Sequence, residues 1–347
     1  MSRARLARRA AVTAAYGAGG LGLLLSAATG LLIAQAKLAR RTVGKRWPPA
    51  PDSQGVYLSR GAQDETEPIE LLMIGDSTAA GLGVSDPTET PAALIASGLA
   101  GIASRPVRVT SVAFTGAQTA DLADQINRAL AAVPAPAVAV LLIGANDVTH
   151  RVRPSVSVRQ LVEAVHRLRA VRCEVVVATC PDLGTVEPIA QPLRYLARRS
   201  SRRLAAAQTI GVVEAGGRTV SFGDILGPEF AARPREMFGP DRFHPSATGY
   251  ASAAMVLLPS VCAALGYWPA DETEPDYRRG EGVFPVGLAA VEAVESAGTE
   301  VAGASVAGRE RGPRGRWALL RRRDPIPTRQ PGQDRSLPGV AAPGRPD

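Results

Sequence analysis

Five apolar runs recur through the middle of the chain and constrain its fold more than any other feature. IELLMI (69–74), VRVTSVAF (107–114), AVAVLLI (137–143) and CEVVVAT (173–179) are followed by a weaker run, IGVVEA (210–215). Runs this uniformly apolar suit strands buried on both faces. The stretches between them, such as ALIASGLAGIA, TADLADQINRALAAV and VRQLVEAVHRLRAV, carry a helical period. Strand and helix in alternation imply right-handed crossovers and a parallel sheet with helices on both sides. The expected fold is therefore α/β, a three-layer sandwich around a mainly parallel five-stranded sheet. SATGYASAAMVLLPSVCAAL (246–265) is its closing helix.

The flanks read differently. Between Arg9 and Lys37 run 27 residues without a charge, and about 20 apolar residues suffice for a transmembrane helix. We expect residues 1–46 to form a basic N-terminus and a single membrane anchor. The alternative is a signal peptide cleaved near Ala36, because Ala34-Gln35-Ala36 has the small-x-small form of a cleavage site. Arginines before the run and KLARRTVGKR after it nearly balance, so charge does not set its orientation. Residues 47–67 are Pro-rich and polar, a linker, and 68–268 form the folded domain. In 269–347 acidic residues come first and basic ones later, interspersed with Pro and Gly, which reads as a disordered tail.

Charge distribution removes one class of function. The net charge is +8, yet residues 1–50 hold nine Lys/Arg and no acid, while 68–268 hold 18 basic against 16 acidic residues. A nucleic-acid binder keeps its positive charge and its aromatics on the folded domain, and aromatics here are 4% of the chain. No nucleic-acid partner is expected. GAGGLG (17–22) matches a dinucleotide fingerprint literally but lies in the uncharged N-terminal run, where no strand precedes it, so no nicotinamide cofactor is expected. Cys173, Cys180 and Cys262 lack metal-ligand spacing and lie among apolar residues, which leaves buried thiols or at most one disulfide, and no metal.

In parallel sheets, ligands bind at the carboxyl ends of the strands. The first run is followed there by GDST (75–78), the second by TGAQT (115–119), the third by GAND (144–147) and the fourth by CPDLG (180–184). Ester hydrolysis by a side chain needs a nucleophile, a base, a group to hold the base, and donors for the oxyanion. Ser77 follows Gly75-Asp76 where the chain must turn sharply, and is the candidate nucleophile. His244 follows Asp241 by three residues in DRFHP, a spacing that lets the carboxylate reach Nδ1 and leaves Nε2 free as base. The side-chain amide of Asn146 and the backbone N–H groups of Gly116 and Ser77 are candidate oxyanion donors. His150 and His166 read as structural, the latter within an amphipathic helical pattern.

With these blocks in this order, residues 68–268 resemble the SGNH hydrolases, also called GDSL esterases/lipases. Within that family the chain is most similar to exported, membrane-tethered actinobacterial esterases. The resemblance implies the SGNH, flavodoxin-like form of the α/β sandwich. It implies Ser77 as nucleophile, His244 as general base, Asp241 as its orienting carboxylate, and Ser77, Gly116 and Asn146 as the oxyanion hole. The assignment of Gly116 rests on its position after the second strand, because FTGAQT departs from the family's Asn-x-Gly-x-x-Gly form. The implied activity is hydrolysis of carboxylic esters, with short or medium acyl chains, lipids or O-acyl glycans as substrates, and no cofactor. A thioesterase, or a non-catalytic envelope-tethered binding module on the same fold, is the alternative. The implied location is the cell membrane with the catalytic domain extracytoplasmic, or secretion after cleavage near Ala36.

Overall fold

The computed structural model describes residues 26–58, 66–267 and 300–302, apart from 28, 40 and 44–47. Seven strands form one sheet: β1 (Gly55–Tyr57), β2 (Ile69–Gly75), β3 (Val107–Ser111), β4 (Val138–Leu142), β5 (Glu174–Ala178), β6 (Arg218–Val220) and β7 (Glu300–Ala302). Their order is β1-β3-β2-β4-β5-β6-β7. The five central strands are parallel, four of them on the apolar runs, and an antiparallel strand closes each edge, so the sheet is mixed and seven-stranded where five strands were expected. The chain leaves β2 for β3 on one side and then crosses back to β4 on the other. The carboxyl end of β2 is thus the topological switch point, where such sheets open a crevice.

The pleat divides the core. Leu71, Met73, Val138, Val140 and Val176 join one cluster, and Leu72, Ile74, Ala139, Leu141 and Val175 the other. The first face is covered by α2 (Pro91–Ala103) and α10 (Ala247–Leu265), and the second by α3 (Leu122–Ala132) and α5 (Pro154–Ala170), with α6 (Leu193–Glu214) packed on α5. The short helices α7 (Phe222–Ile225), α8 (Gly227–Ala232) and α9 (Pro234–Met237) link β6 to α10, and α4 (Ala145–Thr149) follows β4. Among the described residues, α10 alone is long and apolar enough to cross a membrane. Its Leu257, Val261 and Cys262 are buried against α2 and the sheet, so it is a core helix.

Three expectations change. IGVVEA (210–215) is not a strand, because α6 runs through it to Glu214. So short an apolar run satisfies a buried helix as well as a strand, and Gly211 brings α6 onto α5: an added Cβ would lie 2.7 Å from Val158 and 2.9 Å from Val162. Gly216, at φ +83°, ends the helix, and the fifth parallel strand is Arg218–Val220. The segment 47–67 is not a free tether, since Ser53 is buried and β1 pairs with β3. Part of the region 269–347 supplies β7 on β6, while 268–299 and 303–347 lie outside the described residues. The three cysteines are free and buried.

The expected membrane span lies largely outside the described residues, which begin at 26. Residues 26–43 are helical, apart from 28 and 40, and form α1. Ala39 is buried in the first core cluster. Gln35 donates from Nε2 to the carbonyl of Gln191 (2.5 Å) and accepts from the N–H of Leu193 (3.2 Å), which ties α1 to the start of α6.

Candidate active site

The turn after β2 requires glycine. Gly75 has φ +139°, and a Cβ there would lie 2.0 Å from the carbonyl oxygen of Leu142 on β4. Gln125 of α3 holds it from below, accepting from the Gly75 N–H (2.8 Å) and donating to the Gly75 carbonyl (2.9 Å). Asp76 then donates its N–H to Leu142 O (3.0 Å) and accepts the Thr78 N–H on its carboxylate (2.9 Å). The following backbone bonds, Ala80 N–H to Asp76 O and Leu82 N–H to Ser77 O, curl the chain so that Ser77 stands at the end of the sheet.

DRFHP forms a second tight turn opposite. One oxygen of Asp241 accepts the N–H groups of Phe243 and His244 (both 2.9 Å), and the other lies 2.5 Å from His244 Nδ1. The Nε2 atom of His244 lies 3.0 Å from Ser77 Oγ. Ser77, Asp241 and His244 are all buried. Burial alone would raise the Asp241 carboxyl pKa, but the bonds from the His244 ring and the two N–H groups outweigh it and hold the pKa below the ordinary value. An imidazole gripped by a carboxylate through one nitrogen, with a hydroxyl at the other, can accept that hydroxyl's proton.

The other expected donors reach the same rim by a different route. Gly116 adopts φ +89° in the turn after β3, with open space where a Cβ would be. Asn146 follows β4 and donates from Nδ2 to the carbonyl of Ala117 (3.0 Å), joining the two loops. Its neighbour Asp147 is buried and accepts the N–H and hydroxyl of Thr119, a second tie between them. Neither Gly116 nor Asn146 is hydrogen-bonded to Ser77. His150 and His166 stay apart from the site: His150 lies exposed with Nδ1 2.8 Å from Asn146 O, and His166 is exposed on α5.

Beside Ser77 the molecule holds an apolar cavity of about 80 Å³. Asp76 and Thr78, on either side of Ser77, line it together with Val186, Leu226, Phe230, Phe238 and Phe243. Burial pushes the Asp76 carboxyl up to about 6 despite the bond from Thr78 N–H and the nearby His244. Cys180 is close enough to Asp76, Asp147 and Asp182 for their charge to add to burial, and its thiol is held well above its ordinary pKa, unreactive.

Several supporting residues are silent in the sequence. Gln208 of α6 accepts the Cys180 N–H (2.7 Å) and donates to Ile143 O (3.0 Å), as Gln125 does for Gly75. Tyr250 is fully buried and donates to Leu82 O (2.6 Å), which secures the loop behind Ser77. Gly83 at φ +116° lets that loop approach His244, since a Cβ would lie 2.5 Å from Pro245 O and 3.1 Å from the His244 Cβ. A lone Gln or Tyr inside a helix carries no motif, so no local signal marks them.

Residues 73–252 match the family model described as GDSL-like lipase/acylhydrolase family. The chain is 40% identical over 244 residues to GDSL-like esterase Rv1075c of Mycobacterium tuberculosis, which covers 69% of this chain and 78% of that protein. Solved structures include TesA (24% identity, TM-score 0.43, 56% of this chain and 97% of that one). They also include Axe2, an acetylxylan esterase from Geobacillus stearothermophilus (18%, TM-score 0.43, 58% and 96%).

Proposed function

The chain belongs to the GDSL-like lipase/acylhydrolase family and is a carboxylic ester hydrolase, and from that premise we propose a serine esterase acting through Ser77, His244 and Asp241. Ser77 Oγ attacks the acyl carbon while its proton passes to His244 Nε2. Asp241 holds the imidazole in the tautomer that accepts the proton and balances the imidazolium. The tetrahedral oxyanion is received by the N–H groups of Ser77 and Gly116 and by the amide of Asn146, which rotates from the Ala117 carbonyl. Collapse breaks the ester bond, and the leaving alkoxide takes the proton from His244. Water, deprotonated by His244, then attacks the acyl-enzyme and releases the acid and free Ser77.

The observation that carries this reading is the unbroken chain of contacts from Asp241 Oδ2 through His244 to Ser77 Oγ, at 2.5 and 3.0 Å. The acyl group enters the apolar cavity beside Ser77. Its limited volume, about 80 Å³, and apolar lining favour short acyl chains. The test is hydrolysis of p-nitrophenyl acetate, butyrate, octanoate and palmitate by the full chain in detergent, with a fluorophosphonate label on the serine. Activity falling beyond butyrate and a label on Ser77 are expected. A label elsewhere, or turnover unchanged in Ser77→Ala, overturns the mechanism, and a preference for palmitate overturns the acyl assignment alone.

We further propose that residues 10–36 anchor the enzyme in the membrane with the catalytic domain extracytoplasmic. The uncharged run supports the anchor, and so does Gln35: cleavage after Ala36 would remove a side chain that is bonded into the folded domain. The extracytoplasmic side rests on the family resemblance alone.

A further inference from the structure

The α1 helix is apolar on two sides, and the domain covers only one. Leu32, Gln35, Ala36, Ala39 and Val43 recur at helical spacing and are partly or fully buried toward the domain. On other sides of the same helix Leu31, Ile33 and Leu38 are 50%, 45% and 62% exposed. An apolar side that the domain leaves uncovered belongs against lipid or another apolar surface. Leu31 and Ile33 lie in the uncharged run that ends at Ala36, so the cover they lack is continuous with the span.

The clamp fixes where the domain must then sit. Gln35 is the penultimate residue of the uncharged run and is bonded to Gln191 and Leu193. The start of α6 therefore lies at the end of the anchor itself, with no free tether between. Two residues beyond that contact α6 exposes Tyr195 (57%) and Leu196 (41%). Arg199 and Arg203 follow Tyr195 at intervals of four, exposed on the same stripe, and α1 exposes Lys37 and Arg41 just past the uncharged run, on either side of Leu38. Apolar and aromatic side chains nearest the anchor with cations just behind them match the order of a bilayer's depth: hydrocarbon, interface, lipid phosphate.

We propose that the domain rests on the bilayer through one face, formed by Leu31, Ile33 and Leu38 of α1 and Tyr195, Leu196 and Arg199 of α6. Its partner is a lipid surface with anionic headgroups. The proposal rests on the anchor reading above, and it adds that the enzyme is held in a set orientation rather than swinging on a tether.

The test uses the full chain in phosphatidylcholine vesicles with and without phosphatidylglycerol. An environment-sensitive fluorophore is placed through Tyr195→Cys, and in a second protein through Asp124→Cys on α3, which is separated from α6 by α5; the three native thiols are buried. Hydrolysis of a soluble ester reports that each variant is folded. Headgroup-labelled nitroxide lipid is expected to quench the Tyr195 position severalfold more than the Asp124 position, more so with phosphatidylglycerol, and Gln35→Ala is expected to narrow the difference. Equal quenching at both positions in protein that floats with the vesicles overturns the docked face and leaves the anchor standing. Protein that does not float overturns the anchor, and the face with it.

Discussion

His244 Nε2 lies 3.0 Å from Ser77 Oγ across 167 residues of chain. Two turns, one after β2 and one before α10, bring these atoms to the same point. Ser77→Ala and His244→Ala are each expected to lower kcat on the order of 10⁴-fold or more. Asp241→Asn is expected to cost on the order of 10³- to 10⁴-fold through the wrong tautomer. Thermal unfolding separates the effects: Ser77→Ala should melt near the wild-type temperature. A variant that retained a tenth of wild-type turnover would remove that residue from the chemistry.

Asn146→Ala tests the oxyanion assignment. Loss of one oxyanion donor costs on the order of 10²- to 10³-fold in kcat, with KM little changed because the interaction forms only in the transition state. The same variant also loses the tie to Ala117 O, so a raised KM at unchanged kcat would assign Asn146 to loop positioning instead.

Two glycines at positive φ should respond unequally. At Gly75 an alanine Cβ would overlap Leu142 O at 2.0 Å, between backbone segments that cannot yield. Gly75→Ala is expected to destabilise by well over about 3 kcal/mol, beyond conformational strain alone. At Gly116 nothing lies within 4 Å of the added Cβ, so Gly116→Ala should cost only the left-handed conformation, about 1–2 kcal/mol. Denaturant midpoints of the two variants read this directly.

Asp76 makes stability depend on pH in a set direction. Its folded pKa, about 6, stands above the ordinary 3.8. Between those values the folded protein holds a proton that the unfolded chain has released, so this group's contribution to stability falls as pH rises and is fully lost above about 6. The loss is about 3 kcal/mol for a displacement of this size. Asp76→Asn keeps an acceptor for the Thr78 N–H without the charge. It should exceed wild type in stability at pH 8 and approach it at pH 4, as urea unfolding at both values would measure. An identical difference at both pH values would show that Asp76 does not titrate there.

How much of the fold is legible in the sequence follows from the distance over which each feature is decided. The four strong apolar runs (69–74, 107–114, 137–143 and 173–179) became β2 to β5 because uniform burial on both faces leaves its mark in a few consecutive residues. Ser77, Asp241 and His244 stood out because each sits in a short turn whose chemistry is local: glycine before the serine, and a carboxylate three residues before the histidine. IGVVEA fails the same reasoning, since a short apolar run inside a helix packed on α5 looks like a strand until Gly216 and Gly217 end it.

A parallel α/β core, the strand ends that carry Ser77 and Asn146, and the Asp241–His244 turn are thus written in short stretches of the chain. Packing of distant segments is what makes β1 and β7 close the sheet edges, sets Gln125 and Gln208 against the backbone beneath the site, and ties the N-terminal helix to α6 through Gln35. The physical reason is that a strand edge or an amide side chain has no specific partner in its own neighbourhood. Its hydrogen bonds are satisfied by backbone 50 residues away for Gln125, 65 for Gln208 and 156 for Gln35, and those partners exist only once the chain has folded.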